Sequence, residues 1–223
     1  GLTYCNYFSW IVIVIFSNIR FYFIKSLNYD AHMFLVKNKY FLMVESIKDI
    51  DLSNIKISNK YIIIYRNKGK PESIDKLLKF RGKCKVKKIE FYISNDLKLA
   101  KIAKADGLYI SAYNTNLNLL YVKKLNFKLI GSAHNLKEIQ IKVLQGCSNI
   151  LFSRLFQTTY EFKKGFLGVV KFNLFRLSRK ENLIPLGGIN LSNLNKMIMV
   201  NCNAFAVLSE IKKKPVKIFN RLF

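Results

Sequence analysis

Eight short apolar runs recur along this chain, separated by stretches that carry apolar residues at spacings of three and four. That alternation is the pattern of βα units feeding a parallel sheet, and it leaves few folds open. The predicted strands are Tyr40–Val44, Tyr61–Tyr65, Ile89–Ser94, Gly107–Ser111, Lys128–Ser132, Asn149–Ser153, Ile184–Leu186 and Ala204–Leu208. The predicted helices between them are Glu72–Phe80, Leu97–Lys104, Leu117–Lys124, Leu136–Leu144, Val169–Leu177 and Ser192–Val200. The first connection, Ile47–Ile57, is short enough that its helix reduces to a turn. Eight such units in a 223-residue chain predict an α/β protein made of a single (β/α)8 TIM barrel.

The run Leu183–Asn190, LIPLGGIN, adds chemistry to that frame. Two glycines remove the side chains that hold an anion at a distance, and they permit φ angles that aim successive N–H groups at one point. Ala204–Ser209, AFAVLS, is another strand-like run ending in a hydroxyl. In a (β/α)8 barrel the loops after strands seven and eight form a phosphate site, so this pair points to a phosphorylated small molecule.

Composition narrows the classes further. The formal charge of +25 is spread along the chain and carried mostly by Lys, as A/T-rich coding would produce, and the aromatics fall within the apolar runs. No basic face interleaved with exposed aromatics emerges, so nucleic acid is not an expected partner, although the charge would steer phosphate esters. Four cysteines without CxxC pairing fit buried residues in a reducing, cytoplasmic setting. Two histidines, His32 and His134, exclude a histidine-rich metal cluster.

Residues 1–32 stand apart from residues 33–223. Gly1 to Ile19 carries no charge, and YFSWIVIVIF is almost wholly apolar, but this run is short of the ~20 residues a span requires. It lacks the features of a secretory signal, and Met33 would open a barrel-sized frame. The segment is therefore read as an atypical apolar extension, translated upstream sequence foreign to the native protein or an ill-defined addition, in preference to a membrane anchor or an ordered extra helix, and membrane attachment is not expected.

Reactive groups of such a barrel belong at the carboxyl ends of its strands. After strand two come Arg66 and Lys68, after strand three Asn95 and Asp96, and after strand four Ser111 and Asn114. Ser132 and His134 follow strand five; Thr158, Lys163 and Lys164 follow strand six. An Arg fork and a mobile Lys charge at one strand end suit a diphosphate, and Asp96 could offer an oxygen to Mg²⁺. Each has a plainer alternative. Asn95-Asp96 could cap the next helix, Ser132 with Asn135 could cap another, His134 could be structural, and Gly187-Gly188 could be a simple turn.

Several ordered motifs, from about Tyr61 to Ile211, resemble the thiamine phosphate synthase/TenI family. Asn95-Asp96, ADGLYIS, LIGSAHN, GCSNILFSRLFQT, LIPLGGINLSN and AFAVLSEI stand where that family has IND, ADGVHLGQ, GVSAH, GADYIGFGPVFPT, PVVAIGGI and GVAVISAI. The resemblance implies a barrel that joins hydroxymethylpyrimidine diphosphate to a thiazole phosphate, with Mg²⁺, giving thiamine phosphate and diphosphate. By position it implies that Arg66 and Lys68 hold the diphosphate with Asn95 and Ser132, that Asp96 binds Mg²⁺, and that Thr158 positions the thiazole. It further implies that Lys163 or Lys164 supplies a lysine of the strand-six loop, and that Gly187, Gly188 and Ser209 cradle the thiazole phosphate.

The chain also departs from the family pattern. Ile64 replaces a Gln, Asn114 replaces the second metal carboxylate, Tyr109 replaces a His, and Arg154 and Gln157 replace prolines. The competing expectation is a TenI-like thiazole tautomerase with His134 as acid/base, or a non-catalytic thiazole phosphate binder. Oligomeric state, a homo-oligomer included, is left open.

Overall fold

The computed structural model describes residues 39–55, 58–69, 72–125, 127–158 and 165–208. The extension 1–32 lies outside them. Eight parallel strands follow one another around a closed ring: β1 Lys39–Val44, β2 Tyr61–Tyr65, β3 Glu90–Ser94, β4 Gly107–Ile110, β5 Lys128–Ala133, β6 Asn149–Ser153, β7 Asn182–Leu186 and β8 Ala204–Val207. β1 pairs with β2, Tyr40 opposite Tyr61, and with β8, Lys39 opposite Ala204 and Leu42 opposite Val207. That last pairing seals the barrel, as expected from the eight-fold alternation.

Successive strand side chains point to opposite faces, and here both faces meet apolar packing. Phe41, Met43, Ile62, Ile64, Tyr92, Tyr109, Ile130, Leu151 and Ile184 fill the inside of the ring. Their neighbours Tyr40, Leu42, Tyr61, Ile63, Phe91, Leu108, Phe152 and Phe205 belong to the outer layer between strands and helices. Two buried layers explain why the strands read as nearly continuous apolar runs. Among the described residues four α-helices cover the outside: α1 Ile74–Val86, α2 Leu97–Ile102, α3 Leu136–Leu144 and α4 Gly168–Leu177. α1 buries Leu77, Phe80 and Cys84, one stripe at helical spacing.

Three connections depart from the α-helical pattern. The first consists of the 3₁₀ turns Ile47–Asp49, Leu52–Asn54 and Ser58–Lys60, in keeping with its short length. The helices expected over Leu117–Lys124 and Ser192–Val200 are instead 3₁₀ segments, Leu117–Leu125 and Leu194–Met199. The cause is local competition from short polar side chains. Asn114 accepts the Asn116 amide at 3.1 Å, Asn116 accepts that of Asn118 at 2.9 Å, and Asn190 accepts that of Ser192 at 2.9 Å.

Two pairs of charges that sequence spacing reads as ordinary solvated groups, Asp75 with Arg81 and Glu138 with Lys142, only the latter four residues apart, are placed differently in the fold. Arg81 is no freely solvated partner of Asp75; its guanidinium bonds Asp106 at 2.6 Å and the Lys104 carbonyl at 2.9 Å. Lys142 is wholly buried rather than paired with Glu138 on the surface. Gly131 on β5 makes this placement feasible, since a Cβ there would meet Lys142 Cδ at 2.8 Å and Cγ at 2.9 Å. The Nζ donates to the Asn114 carbonyl at 2.6 Å and Gln145 Oε1 at 2.8 Å. Burial holds the Lys142 ammonium below the ordinary lysine pKa, and the direction is opposed by Cys147 and Glu138.

A carboxylate ties the first connection to the barrel. Glu72, just before α1, accepts the Ser46 hydroxyl at 2.6 Å, the Ile47 amide at 3.1 Å and the Tyr65 hydroxyl. Burial pushes its carboxyl pKa up, but these hydrogen bonds together outweigh burial and hold it below the usual value. A depressed folded pKa gives stability that is full above the unfolded value of about 4.3 and is lost as pH falls through the folded one. Glu72→Gln is expected to cost about 1 kcal/mol at neutral pH, with the gap to wild type closing in urea melts as the medium acidifies below about pH 4. A gap that stays constant with pH would refute this account.

Candidate active site

The carboxyl ends of the strands surround a cavity of about 360 Å³. Its apolar lining is the top layer of the barrel interior, including Met43, Tyr109, Leu186 and Ala206. Its polar lining comes from several different strand ends: Arg66 and Lys68 after β2, Ser111 after β4, Ser132 and His134 at and after β5, Arg154 and Thr158 after β6, and Gly187 and Gly188 after β7. A second groove of about 560 Å³ shares Arg66, Lys68, Ser111 and Tyr113 with the first and adds Asn95 and Asp96. One chamber and one groove thus adjoin across a common cationic edge.

The glycine turn is built by contact with the β6 loop. Gly187 and Gly188 have φ of 94° and 71°, in the left-handed region that side chains disfavour. A Cβ on Gly188 would meet the Phe156 carbonyl oxygen at 2.4 Å, and one on Gly187 would meet Arg154 Cγ at 2.9 Å. Two backbone bonds fasten the loop to the turn, Leu155 N–H to the Leu186 carbonyl at 2.9 Å and Phe156 N–H to the Gly187 carbonyl at 3.0 Å. Behind it, the Asn193 and Asn190 amides hold the Gly188 carbonyl at 2.7 and 3.2 Å. With its carbonyls occupied, the turn presents glycine backbone to the cavity, where N–H groups can meet an anion.

Asn95 stitches β3 to β4. Its residue sits at φ 56°, its Oδ1 accepts the Ser111 amide at 3.0 Å and the Asn114 amide group at 3.3 Å, and its Nδ2 donates to Ser111 Oγ at 3.0 Å. Asp96 caps α2, Oδ1 accepting the Leu99 amide at 2.8 Å, as the plainer alternative expects, and it also lines the groove. The cap and the place in the groove lining belong to one side chain. From below, Lys142 and Gln145 grip the Asn114 carbonyl, and Gln145 adds the Asn116 carbonyl at 3.0 Å. The buried lysine therefore anchors the loop that carries Asn114.

Lys68 pairs with Glu45 at 2.9 Å, so part of its charge is met within the protein. Arg66 lies half-buried at the border of the two spaces. Ser132 is buried in the chamber and is not a helix cap; Asn135 caps α3 instead, accepting the Glu138 amide at 2.9 Å. Burial pushes the Tyr109 phenol pKa up against the pull of Ser132 and Arg66. His134 is exposed at the rim, its Nδ1 3.0 Å from Glu138 Oε2 and its ring 6.1 Å from that of Tyr113.

Of the residues singled out from sequence, Arg66, Lys68, Ser132, His134, Thr158, Gly187 and Gly188 share the chamber, and Asn95 and Asp96 share the groove. Asn114 bonds Asn95 without being part of either lining. Lys163, Lys164 and Ser209 lie outside the described residues. Sequence reasoning passed over Glu45 as the partner of Lys68, and it placed Tyr109 and Arg154 only as departures; their position at or beside strand ends was the available signal. Among the described residues no group of three His, Cys, Asp or Glu side chains gathers as a metal site, and no helix is long and apolar enough to cross a membrane.

Comparison with known proteins agrees with this geometry. The family model described as thiamine monophosphate synthase matches residues 52–211. The thiamine-phosphate synthase of Pelagibacter ubique is 25% identical over 197 residues, covering 82% of this chain and 94% of that protein. That of Prochlorococcus marinus strain SARG is 28% identical over 155 residues, covering 67% of this chain, which there spans 44% of the relative. Among solved structures, a thiamine phosphate pyrophosphorylase from Pyrococcus furiosus superposes with a TM-score of 0.64 at 17% identity, covering 86% of this chain and 96% of that one. At that identity the superposition speaks for the barrel fold alone.

Gly188→Ala forces a side chain into a left-handed residue and against a backbone oxygen that cannot rotate away. The strained φ alone costs about 1–3 kcal/mol. The expected outcome is a clear drop in melting temperature together with loss of inorganic phosphate binding by calorimetry. Unchanged phosphate binding in a folded variant would show that the turn is not an anion site.

Proposed function

Because the chain belongs to the thiamine monophosphate synthase family, we propose that it joins hydroxymethylpyrimidine diphosphate to a phosphorylated thiazole, making thiamine phosphate and releasing diphosphate. The observation that carries this reading is the pairing of two anion-suited spaces across one cationic edge: the glycine-turn chamber for a phosphomonoester, and the Arg66–Asp96 groove for a diphosphate. A transferase for these substrates needs both within reach of one reacting carbon.

In this reading the bond from the pyrimidine methylene carbon to the diphosphate oxygen breaks with its electron pair leaving on oxygen. The thiazole nitrogen then donates its pair to that carbon. Charge grows on the leaving diphosphate and on the pyrimidine, and the protein acts by placing donors and by holding the two reactants together. Arg66 and Lys68 take up the departing charge, Ser132 contacts the diphosphate region, and Asn95 holds the groove wall against the β4 loop. Thr158 orients the thiazole, and its phosphate rests on Gly187 and Gly188. Lys163 or Lys164, and Ser209, keep the roles that the family pattern gives those positions.

The donor set also fits Mg²⁺, which binds through one or two carboxylates and completes its shell with substrate phosphate and water. Asp96 is the carboxylate in the groove, and Asn114 adjoins through Asn95 where the family pattern has a second. Bound there, Mg²⁺ would neutralise diphosphate charge.

A second reading, proton transfer on a thiazole phosphate tautomer, draws on a separate observation. Glu138 receives His134 Nδ1, an orienting contact that would fix the ring of an acid/base histidine. It requires the chamber and no diphosphate.

The test is turnover by the purified protein with both substrates and Mg²⁺. Asp96→Asn keeps the cap on α2 and removes the charge, so kcat for thiamine phosphate formation is expected to fall by a factor on the order of 100 or more, with melting temperature little changed. His134→Ala is expected to leave this reaction within about tenfold. If His134→Ala abolishes a tautomerisation that wild type catalyses, and neither protein makes thiamine phosphate, the second reading replaces the first.

A further inference from the structure

We propose that Arg154 is a binding residue for the phosphomonoester of the thiazole substrate, its guanidinium supplying the charge that the glycine turn lacks. The inference rests on the reading above for the identity of the ligand, while the anion site itself follows from geometry. Backbone amides are directional but uncharged donors. A phosphate dianion that leaves water for a partly apolar chamber needs a counter-charge as well as hydrogen bonds.

Arg154 stands where that charge is required. It directly follows β6 and lines the chamber beside Thr158, Gly187 and Gly188. It does not line the groove, whereas Arg66 and Lys68 serve both spaces. Among the described residues the chamber lining includes no carboxylate. Among the described residues Arg154 is thus the arginine or lysine confined to the phosphomonoester side.

Its side chain is held in place from two directions. The stem lies against Gly187, as the 2.9 Å and 3.2 Å approaches of Cγ and Cβ to an ideal glycine Cβ position show. Its Nη1 donates to Thr158 Oγ1 at 2.9 Å. The backbone is fixed too, since the Arg154 carbonyl accepts the Leu167 amide at 2.8 Å and the next two residues bond to β7 and its turn. A planar fork so fixed can offer parallel N–H donors to two phosphate oxygens without first losing rotational freedom. Glycine at 187 has a double use here: it frees a backbone amide and makes room for the arginine stem.

The motif of the related family has proline at this position, so this contact would be a property of the present chain. Arg154→Met keeps an unbranched stem over Gly187 and removes the charge and the fork. Calorimetry with the phosphorylated thiazole is expected to show binding weakened about 10- to 100-fold, while the corresponding unphosphorylated thiazole alcohol binds as in wild type. In steady-state assays KM for the phosphorylated thiazole rises by a similar factor, and KM for the pyrimidine diphosphate does not. Arg154→Lys is expected to recover part of the loss, because a point charge replaces the fork.

Equal losses for the phosphorylated and unphosphorylated ligands would overturn the proposal by reducing Arg154 to packing, as would wild-type affinity in Arg154→Met. If Arg154→Met does not fold, an Arg154→Lys variant with undiminished affinity for the phosphorylated thiazole overturns the fork. Inorganic phosphate separates this inference from the one beneath it. Weakened phosphate binding in Arg154→Met, in a protein whose wild type makes no thiamine phosphate, would support the arginine site and sink the synthase reading.

Discussion

The pairing of β8 with β1 is the constraint on which everything else depends. Once Lys39 to Leu42 lie beside Ala204 to Val207, the sheet has no edge, and every strand must bury one face inward and one outward. The inward set, from Phe41 to Ala206, fills the ring with side chains. All eight strands then run the same way, so the residue after each one emerges at the same rim. Polar groups as distant in sequence as Arg66 and Gly188 meet there because closure leaves them nowhere else to go.

Glycine sets the shape of that rim by what it allows other residues to do. At Gly187 and Gly188 the missing side chains let the β6 loop lie directly on the turn, so an arginine stem and a carbonyl oxygen occupy the space a Cβ would take. At Gly131 the same absence admits a buried lysine, whose ammonium reaches the carbonyl of Asn114 on the opposite side of the loop. Asn114 in turn meets Asn95, and Asn95 holds Ser111. A packing choice on the outside of β5 is thereby transmitted to the groove beside Asp96. The lysine is costly to bury, and its two short hydrogen bonds offset that cost while fixing a loop that 3₁₀ geometry alone would hold weakly.

The strands were legible because both of their faces are apolar: the runs at Tyr40, Tyr61, Gly107 and Asn149 could be read to within a residue or so. The helical stripes were legible where packing dominates, as at Leu77, Phe80 and Cys84. Two connections were misread because asparagine and serine side chains bind neighbouring amides, an energy that apolar periodicity does not register. Lys142 was misread for a related reason. Its spacing from Glu138 suits a surface pair, and only the juxtaposition with Gly131, eleven residues earlier and on another element, reveals the space beneath. At the rim, residue types at strand ends could be named, but their division into chamber and groove is a property of three-dimensional closure. So is the partnership of Lys68 with Glu45, which joins the ends of adjacent strands.

Net charge says little about which cations matter at this site. Of the rim cations, Lys68 is partly answered by Glu45, Arg154 is held by Thr158, and Arg66 faces both spaces. Asn114, joined to the groove through Asn95, stands where the family pattern has a carboxylate; under the proposed reading one negative charge fewer there would weaken the hold on a divalent cation and would also lessen repulsion of an incoming diphosphate. These effects oppose each other. Under the proposed reading, the balance shifts part of the work of neutralising the leaving group from metal to protein, and Arg66 is the group placed to take it. The same logic extends to the barrel interior, where the wholly buried Ile64 stands at the position of a Gln in the family pattern and, under the proposed reading, would offer no polar contact to the pyrimidine. Under the same reading the Tyr109 phenol on the chamber wall is the polar group that remains near that layer, so recognition there would pass from an amide to a hydroxyl.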